Sequence, residues 1–302
     1  YQNSMDAGQR WLLINILGKP LRTLDERNHE FQYFYDQAHR PDYSKVLGGD
    51  RKKTDGSNDP LDHIFERIIY GESLLTGKRD DANRQNEKTL QNRNVLGQVI
   101  QHYDTGGLVN TPDYDFKGQP LATTRKLFKK YKDVANWQEA NLAADLEADD
   151  FIFVTETDAL GRITKQLTPD KSIITPVYNE AGLLNGEKVS HFNLTTGTYD
   201  GNMDYIKDID YNEKGQRNFI KYGNGVKTTF EYDAQTFRLR HLKSNLNTKI
   251  LQDLIYTYDP VGNITSIRDD AYDPEFFSNR IIEPYNTYTY DALYRLKEAT
   301  GR

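Results

Sequence analysis

A six-residue phrase returns along this chain: an aromatic residue or Thr, then Asp or Asn, two variable residues, Gly, and most often a polar residue. It reads Tyr114-Asp115-Phe116-Lys117-Gly118-Gln119, Thr157-Asp158-Ala159-Leu160-Gly161-Arg162 and Tyr178-Asn179-Glu180-Ala181-Gly182-Leu183. It returns as Tyr211-Asn212-Glu213-Lys214-Gly215-Gln216 and Tyr258-Asp259-Pro260-Val261-Gly262-Asn263. Looser copies begin at Ile14-Asn15, Tyr35-Asp36, Tyr103-Asp104, Tyr232-Asp233 and Tyr290-Asp291. Internal repeats constrain a fold more than composition does, because one unit cannot bury its apolar face alone and must stack on its neighbours.

Each phrase reads as a turn. Asp or Asn opens a type I turn by accepting backbone hydrogen bonds, Pro260 has the φ that the next position needs, and Gly supplies the positive φ of a turn closed by a bulge. The Tyr then ends the incoming strand, its ring on a half-buried face and its hydroxyl at a wet edge. The copies at 14 and 35, 157 and 178, and 211 and 232 are each 21 residues apart. That interval holds two strands of about six residues and two turns. The second turn is visible at Gly223-Asn224-Gly225 and at Thr168-Pro169-Asp170-Lys171. In Val226–Tyr232, Val226, Thr228, Phe230 and Tyr232 share one face, and Lys227, Thr229 and Glu231 the other, as in a half-buried antiparallel strand. The expected fold is mainly β, an antiparallel sheet of repeated hairpins with short helical insertions.

The repeats imply an organisation. Residues 1–41 read as repeats; 42–100 as an insertion of loop and helix, with a polar helix over 79–95; 101–121 as repeats; 122–150 as a helical insertion capped at Thr123 or Thr124; and 151–302 as repeats again, with longer loops near 185–203 and 270–286. Hydrophobic content of 36% and a mean hydropathy of −0.82 suit thin sheets with much wetted surface. Plentiful aromatics argue against disorder. The net charge of −6 carries no long basic run, and Lys126, Lys129, Lys130 and Lys132 read as a solvated helical face rather than a nucleic-acid patch. No stretch has the apolar length of a membrane-spanning helix. The absence of Cys excludes disulfides, thiolate metal sites and Cys nucleophiles. Opening on Tyr1 rather than Met, the chain is expected to be a segment of a longer protein.

Longer phrases carry a family resemblance: Glu66–Glu72 (ERIIYGE), Gly97–Asp104 (GQVIQHYD), Tyr114–Gly118, Leu251–Thr265 (LQDLIYTYDPVGNIT), Tyr288–Leu296 (TYDALYR within it) and Glu298–Gly301. With these the chain resembles the RHS or YD-repeat proteins of bacteria, above all the repeat regions of the B and C components of insecticidal Tc toxin complexes. The resemblance implies a β-strip that spirals as part of a hollow shell, enclosing a toxic polypeptide for delivery. It implies as partners other RHS-repeat segments of the same or a partner subunit and the enclosed cargo, with no nucleic acid and no membrane insertion by this segment. It implies a secreted, extracellular toxin complex. Family members with a C-terminal cargo carry an Asp-dependent self-cleaving core after the repeats. That core is absent from these residues, so no catalytic residue, cofactor or metal is assigned. The expected site residues are structural: Tyr114, Asp115, Gly118, Asp158, Gly161, Tyr178, Asn179, Gly182, Tyr211, Asn212, Gly215, Tyr258, Asp259, Gly262, Tyr290 and Asp291. Where the copies at Tyr35, Tyr232 and Tyr290 put His39, Phe237 and Tyr294 near the Gly offset, a different turn geometry is expected.

Other chemistry finds weaker support. Gly71 to Gly77-Lys78-Arg79 misses the phosphate-loop spacing, and Asp208, Asp210 and Asn212 begin a calcium-loop pattern that Glu213 and Phe219 break. The six His show no metal spacing. Glu66, Glu72, Asp269 and Asp270 are the carboxylates a glycosidase would need, and default to surface or turn roles. An alternative to the container is a carbohydrate or cell-surface binding module using exposed aromatics such as Trp11 and Trp137.

Overall fold

A computed structural model describes residues 1–5, 8–75, 81–138 and 142–301, the side chains of 81–85 excepted. The chain divides into two units, Tyr1–Thr157 with Gln166–Asp170, and Asp158–Lys165 with Lys171–Arg302.

The first unit is an antiparallel meander through Gln2–Ser4, Gly8–Ile14, Pro20–Asp25, His29–Tyr35, Pro41–Gly48, Leu61–Tyr70, Val99–Asp104, Gly107–Asn110, Ala122–Leu127 and Phe151–Thr157. The second unit runs likewise through Ile173–Tyr178, Leu184–Ser190, Met203–Tyr211, Arg217–Tyr222, Val226–Tyr232, Leu239–Leu246, Lys249–Tyr258, Ile264–Asp269, Tyr285–Tyr290 and Leu296–Thr300. Its two long loops each contain a small hairpin, Phe192–Asn193 with Thr198–Tyr199 and Glu275–Phe277 with Arg280–Ile282.

An up-and-down chain sends alternate connections to opposite edges. In the second unit, 179–183, 212–216, 233–238, 259–263 and 291–295 therefore share one edge, and 191–202, 223–225, 247–248 and 270–284 the other. The strands before the first set end on Tyr178, Tyr211, Tyr232, Tyr258 and Tyr290, and at each the register slips by one residue, as in a turn closed by a bulge. In the first unit the copies at Asn15, Asp36 and Asp115 share an edge, whereas Tyr103-Asp104 lies on the opposite one. There Asp104 pairs with Gly107 across a two-residue hairpin, and the Tyr103 ring is buried.

Two stretches read as insertions hold sheet strands. Within 42–100, Pro41–Gly48 and Leu61–Tyr70 are fully paired strands, and the expected helix follows as Asp81–Asn92. Within 122–150, Ala122–Leu127 is a strand, and no helix occurs among the described residues. Thr123 and Thr124 pair with Phe153 and Ile152 instead of capping a helix. Propensity lost to a non-local force: Ala135, Trp137 and Leu146 are buried with Ile64, Tyr103, Leu108 and Phe128 against the sheet. A helix would carry only every third or fourth side chain onto that face, whereas the folded-back loop brings all three down.

Candidate functional site

The repeated turns form a single device. In the Asp158 turn, the Asp158 N–H donates to the Arg162 carbonyl at 2.9 Å and the Gly161 N–H to the Asp158 carbonyl at 2.9 Å. The Asp158 Oδ1 accepts the N–H groups of Leu160 at 2.8 Å and Arg162 at 3.0 Å. The same pattern surrounds Asp115, Asn212 and Asp291, and Asn179 and Asp259 also accept the N–H four residues on. Gly118, Gly161, Gly182, Gly215 and Gly262 all have positive φ, from 73° at Gly215 to 114° at Gly262.

The non-glycine copies correct one expectation. His39 and Tyr294 adopt φ of 58° and 60° and make the same backbone bonds as the glycines, so their turns do not differ in geometry. The Asp side chain's bonds hold the left-handed conformation against its steric cost. Phe237 does differ. Its N–H bonds the carbonyl of Asp233 four residues back, in a loop one residue longer. A further copy that the phrase did not reveal lies on the opposite edge at Asp25, which accepts the Arg27 and His29 N–H groups, with Asn28 at φ 61°.

Seven Tyr hydroxyls each tie a strand end to an earlier turn. Tyr35 donates to the Pro20 carbonyl at 2.7 Å, Tyr70 to Pro41 at 3.0 Å, Tyr178 to Ile163 at 2.9 Å and Tyr211 to Leu184 at 2.6 Å. Tyr258 donates to Leu239 at 2.7 Å and Tyr290 to Ile264 at 2.8 Å, and Tyr114 donates to Val99. Every acceptor lies two residues past a left-handed residue: Gly18, His39, Gly97, Gly161, Gly182, Phe237 or Gly262. The residue between them is often basic and covers the next Tyr ring. Arg40 lies 3.8 Å from the Tyr70 centroid, Arg162 5.0 Å from Tyr178, Arg238 5.7 Å from Tyr258 and Lys19 5.5 Å from Tyr35. Such cation–π contacts contribute about 0.5–1 kcal/mol each at exposed sites. The sixth position of the phrase was legible as polar; its ring partner was not.

The electrostatics follow from this geometry. Backbone N–H donation, with the Arg162 and Arg295 guanidinium groups, holds the Asp158 and Asp291 carboxyls below their ordinary range. At Asp259 desolvation opposes the shift, but the Asn263 amide and backbone N–H groups outweigh it and the pKa falls. Burial pushes the Tyr114 and Tyr258 phenols up.

The residues considered for other chemistry are engaged in this framework. Glu66 bonds His102 at 3.0 Å and the Ser44 hydroxyl at 3.0 Å. Glu72 pairs with Arg40 at 2.6 Å and accepts the Gly97 N–H at 2.8 Å. Asp269 accepts the Asp253 and Ala271 N–H groups, and Asp270 pairs with Arg268. Asp208 pairs with Lys221, Asp210 accepts from Asn218, and Asn212 closes its turn. The lysine cluster sits on a strand and a turn, where Lys126 and Lys130 pair with Asp150 and Asp145. Gly77, Lys78 and Arg79 lie outside the described residues. Trp137 is 1% exposed and its Nε1 donates to the Asp104 carbonyl at 3.1 Å, which removes it as a binding surface, whereas Trp11 is 43% exposed.

The chain as a whole has counterparts among known proteins. The chain is 30% identical to the toxin subunit YenC2 of Yersinia entomophaga over all of its own length and 31% of that protein's. It is 30% identical to the toxin subunit YenC1 of the same organism over 99% of its own length and 29% of that protein's. The crystal structure of TcdB2-TccC3-Cdc42 matches 99% of the chain at 31% identity with a TM-score of 0.72, over 13% of that chain. The Photorhabdus luminescens Tc holotoxin pore gives the same TM-score of 0.72 at 32% identity, again over 13% of that chain. The chain is thus similar to Tc toxin components over nearly its whole length. It spans about a third of the length of YenC2, at 31%. No protein-family model matches it.

Proposed function

We propose that this segment is a non-catalytic wall element of a bacterial toxin shell, which encloses a toxic polypeptide and shields it until delivery. The observation that carries this reading is the interlocked edge of Tyr hydroxyls and basic side chains. A lone sheet with two wetted faces lacks the packed second layer that stabilises most β domains. Among the described residues of the second unit, Val189, Ile209 and Ile220 are the buried apolar side chains, too few for a sandwich core. Fastening each hairpin to the previous one stiffens such a sheet without a second layer, which a thin wall requires. The similarity to Tc toxin components supports the same reading. The expected partners are other repeat segments of the same or a partner subunit, and the enclosed polypeptide, within a secreted complex. The test is a cryo-electron-microscopy map of the full-length parent with its partner subunit. A closed shell with weak internal density supports the proposal; a solid domain without a lumen refutes it.

A further inference from the structure

We propose that the cavity bounded by the 270–284 loop of the second unit receives a cationic side chain, lysine or arginine, from a basic segment of a partner polypeptide. The cavity encloses about 350 Å³, room enough for one such side chain. It lies toward the edge opposite the Tyr-Asp turns and does not depend on the shell reading.

Strand register builds the site. Leu254 pairs with Asp269, Tyr256 with Ile267, and Ile267 in turn with Asn286, so these side chains share one face of the sheet. The intervening Arg268 falls on the other face by alternation and pairs with Asp270 at 2.6 Å. The loop that follows is tied at both ends. The Asp269 N–H donates to the Pro284 carbonyl at 2.9 Å, and the Asp270 N–H to the Asp253 carbonyl at 2.8 Å. Tyr272 and Pro284 then complete the lining begun by Leu254, Ile267, Asp269 and Asn286.

The lining fits a cation on an apolar stem. Leu254, Ile267 and Pro284 offer apolar walls, with the half-buried Asp269 carboxylate set among them. Its Oδ1 accepts the Asp253 N–H at 2.9 Å and the Ala271 N–H at 3.1 Å. Among the described residues, its Oδ2 has no hydrogen-bond or ion-pair partner. Burial pushes the Tyr256 phenol up, and the Asp269 charge adds to that shift. A carboxylate beside apolar walls is stabilised by an opposite charge. Lysine and arginine carry one on a methylene stem that such walls cover, and the Tyr272 ring adds a face that a cation favours. The surroundings have the same sign. Residues 268–284 hold Asp269, Asp270, Asp273, Glu275 and Glu283 against Arg268 and Arg280, a net charge of −3 that draws basic partners and repels acidic ones. The hairpin on the same loop leaves Phe276, Phe277 and Ile281 72%, 68% and 68% exposed. A small amine would leave that apolar surface bare, whereas a polypeptide has further side chains to cover it.

The test is fluorescence anisotropy at low salt on the full chain, with labelled peptides that alternate glycine with lysine, arginine or norleucine. The lysine or the arginine peptide is expected to bind with a dissociation constant of about 0.1 mM, and the norleucine peptide at least about tenfold more weakly. Asp269→Asn keeps the Oδ1 acceptor and removes the charge, and should weaken binding about tenfold, as loss of a central contact does. Tyr272→Ala should weaken it about threefold, and Tyr272→Phe should retain it. Asp133→Asn removes the same charge from an exposed position in the first unit and should change nothing. If Asp269→Asn loses its folded circular-dichroism signal, Tyr272→Ala, at an exposed side chain, decides together with the norleucine peptide. Three results would each overturn the proposal. One is no binding of either cationic peptide up to about 5 mM. Another is an Asp269→Asn loss no larger than that of Asp133→Asn, which would mean diffuse attraction only. The third is spermidine binding as tightly as the peptides, which would make this a site for a small amine.

Discussion

The hydroxyl ladder makes a quantitative prediction through Tyr258→Phe. The substitution keeps the ring, its burial and its contact with Arg238, and removes one donor, which lies 2.7 Å from the Leu239 carbonyl. A hydrogen bond of this kind contributes about 1 kcal/mol net. Its equivalents in the second unit are Tyr178, Tyr211 and Tyr290. Turns on one edge are separated by two strands, roughly 9.5 Å, near the distance beyond which mutational effects add. The fourfold Phe variant should therefore lose about 4 kcal/mol, a large part of the roughly 5–15 kcal/mol that holds a typical domain. Tyr288→Phe is the control. It lies on the same strand as Tyr290, and among the described residues its hydroxyl has no hydrogen-bond partner, so its effect should be near zero. Urea unfolding measures both, as a shift of midpoint at constant slope. A fourfold variant within about 0.5 kcal/mol of wild type, or a Tyr288→Phe loss as large as the Tyr258→Phe loss, would refute the ladder.

Other outcomes follow from single residues. Gly262→Val places a β-branched side chain at φ 114° with its Cβ 2.9 Å from the Arg238 guanidinium, and should cost about 1–3 kcal/mol by urea unfolding. Trp137→Ala should cost about 3–5 kcal/mol and open the chain around Ala135 and Leu146 to proteolysis first, because that ring closes the buried cluster. The motif carboxyls with lowered pKa values contribute stability that is complete above the unfolded value of about 3.9 and is lost as pH falls through the lower folded value. Asp259→Asn should therefore keep the turn, since Asn179 and Asn212 already fill that role, but lower the melting temperature at pH 7, where the ionised carboxylate contributes, and flatten the loss below pH ~4 in an acid titration. An acid limb unchanged from wild type would contradict the assignment.

The turns were legible because their bonds are local. The Asp259 side chain bonds atoms at most four residues away, so residue type and spacing suffice to specify the turn from Tyr258 to Asn263. The same locality explains why His39 and Tyr294 keep the glycine geometry: the Asp three residues earlier holds it. The expected insertion over 42–100 concealed the strand Pro41–Gly48, and the expected helical insertion over 122–150 contains no helix among its described residues. In both, the outcome was set by residues far along the chain, through the pairing of Val46 with His63 and the packing of Trp137 beside Ile64. Met203–Tyr211 carries two bulges, at Tyr205 against Leu184–Ser190 and at Lys207 against Arg217–Tyr222, and these depend on the registers of two different neighbouring strands, which no single stretch of sequence encodes. By itself, then, the sequence determined the repeated turn and the strand that ends on each Tyr, since both rest on short-range chemistry. Only the tertiary structure decided which carbonyl each Tyr hydroxyl reaches, which ring each Arg covers and which Trp is buried, because those contacts form only when strands distant in sequence are laid side by side.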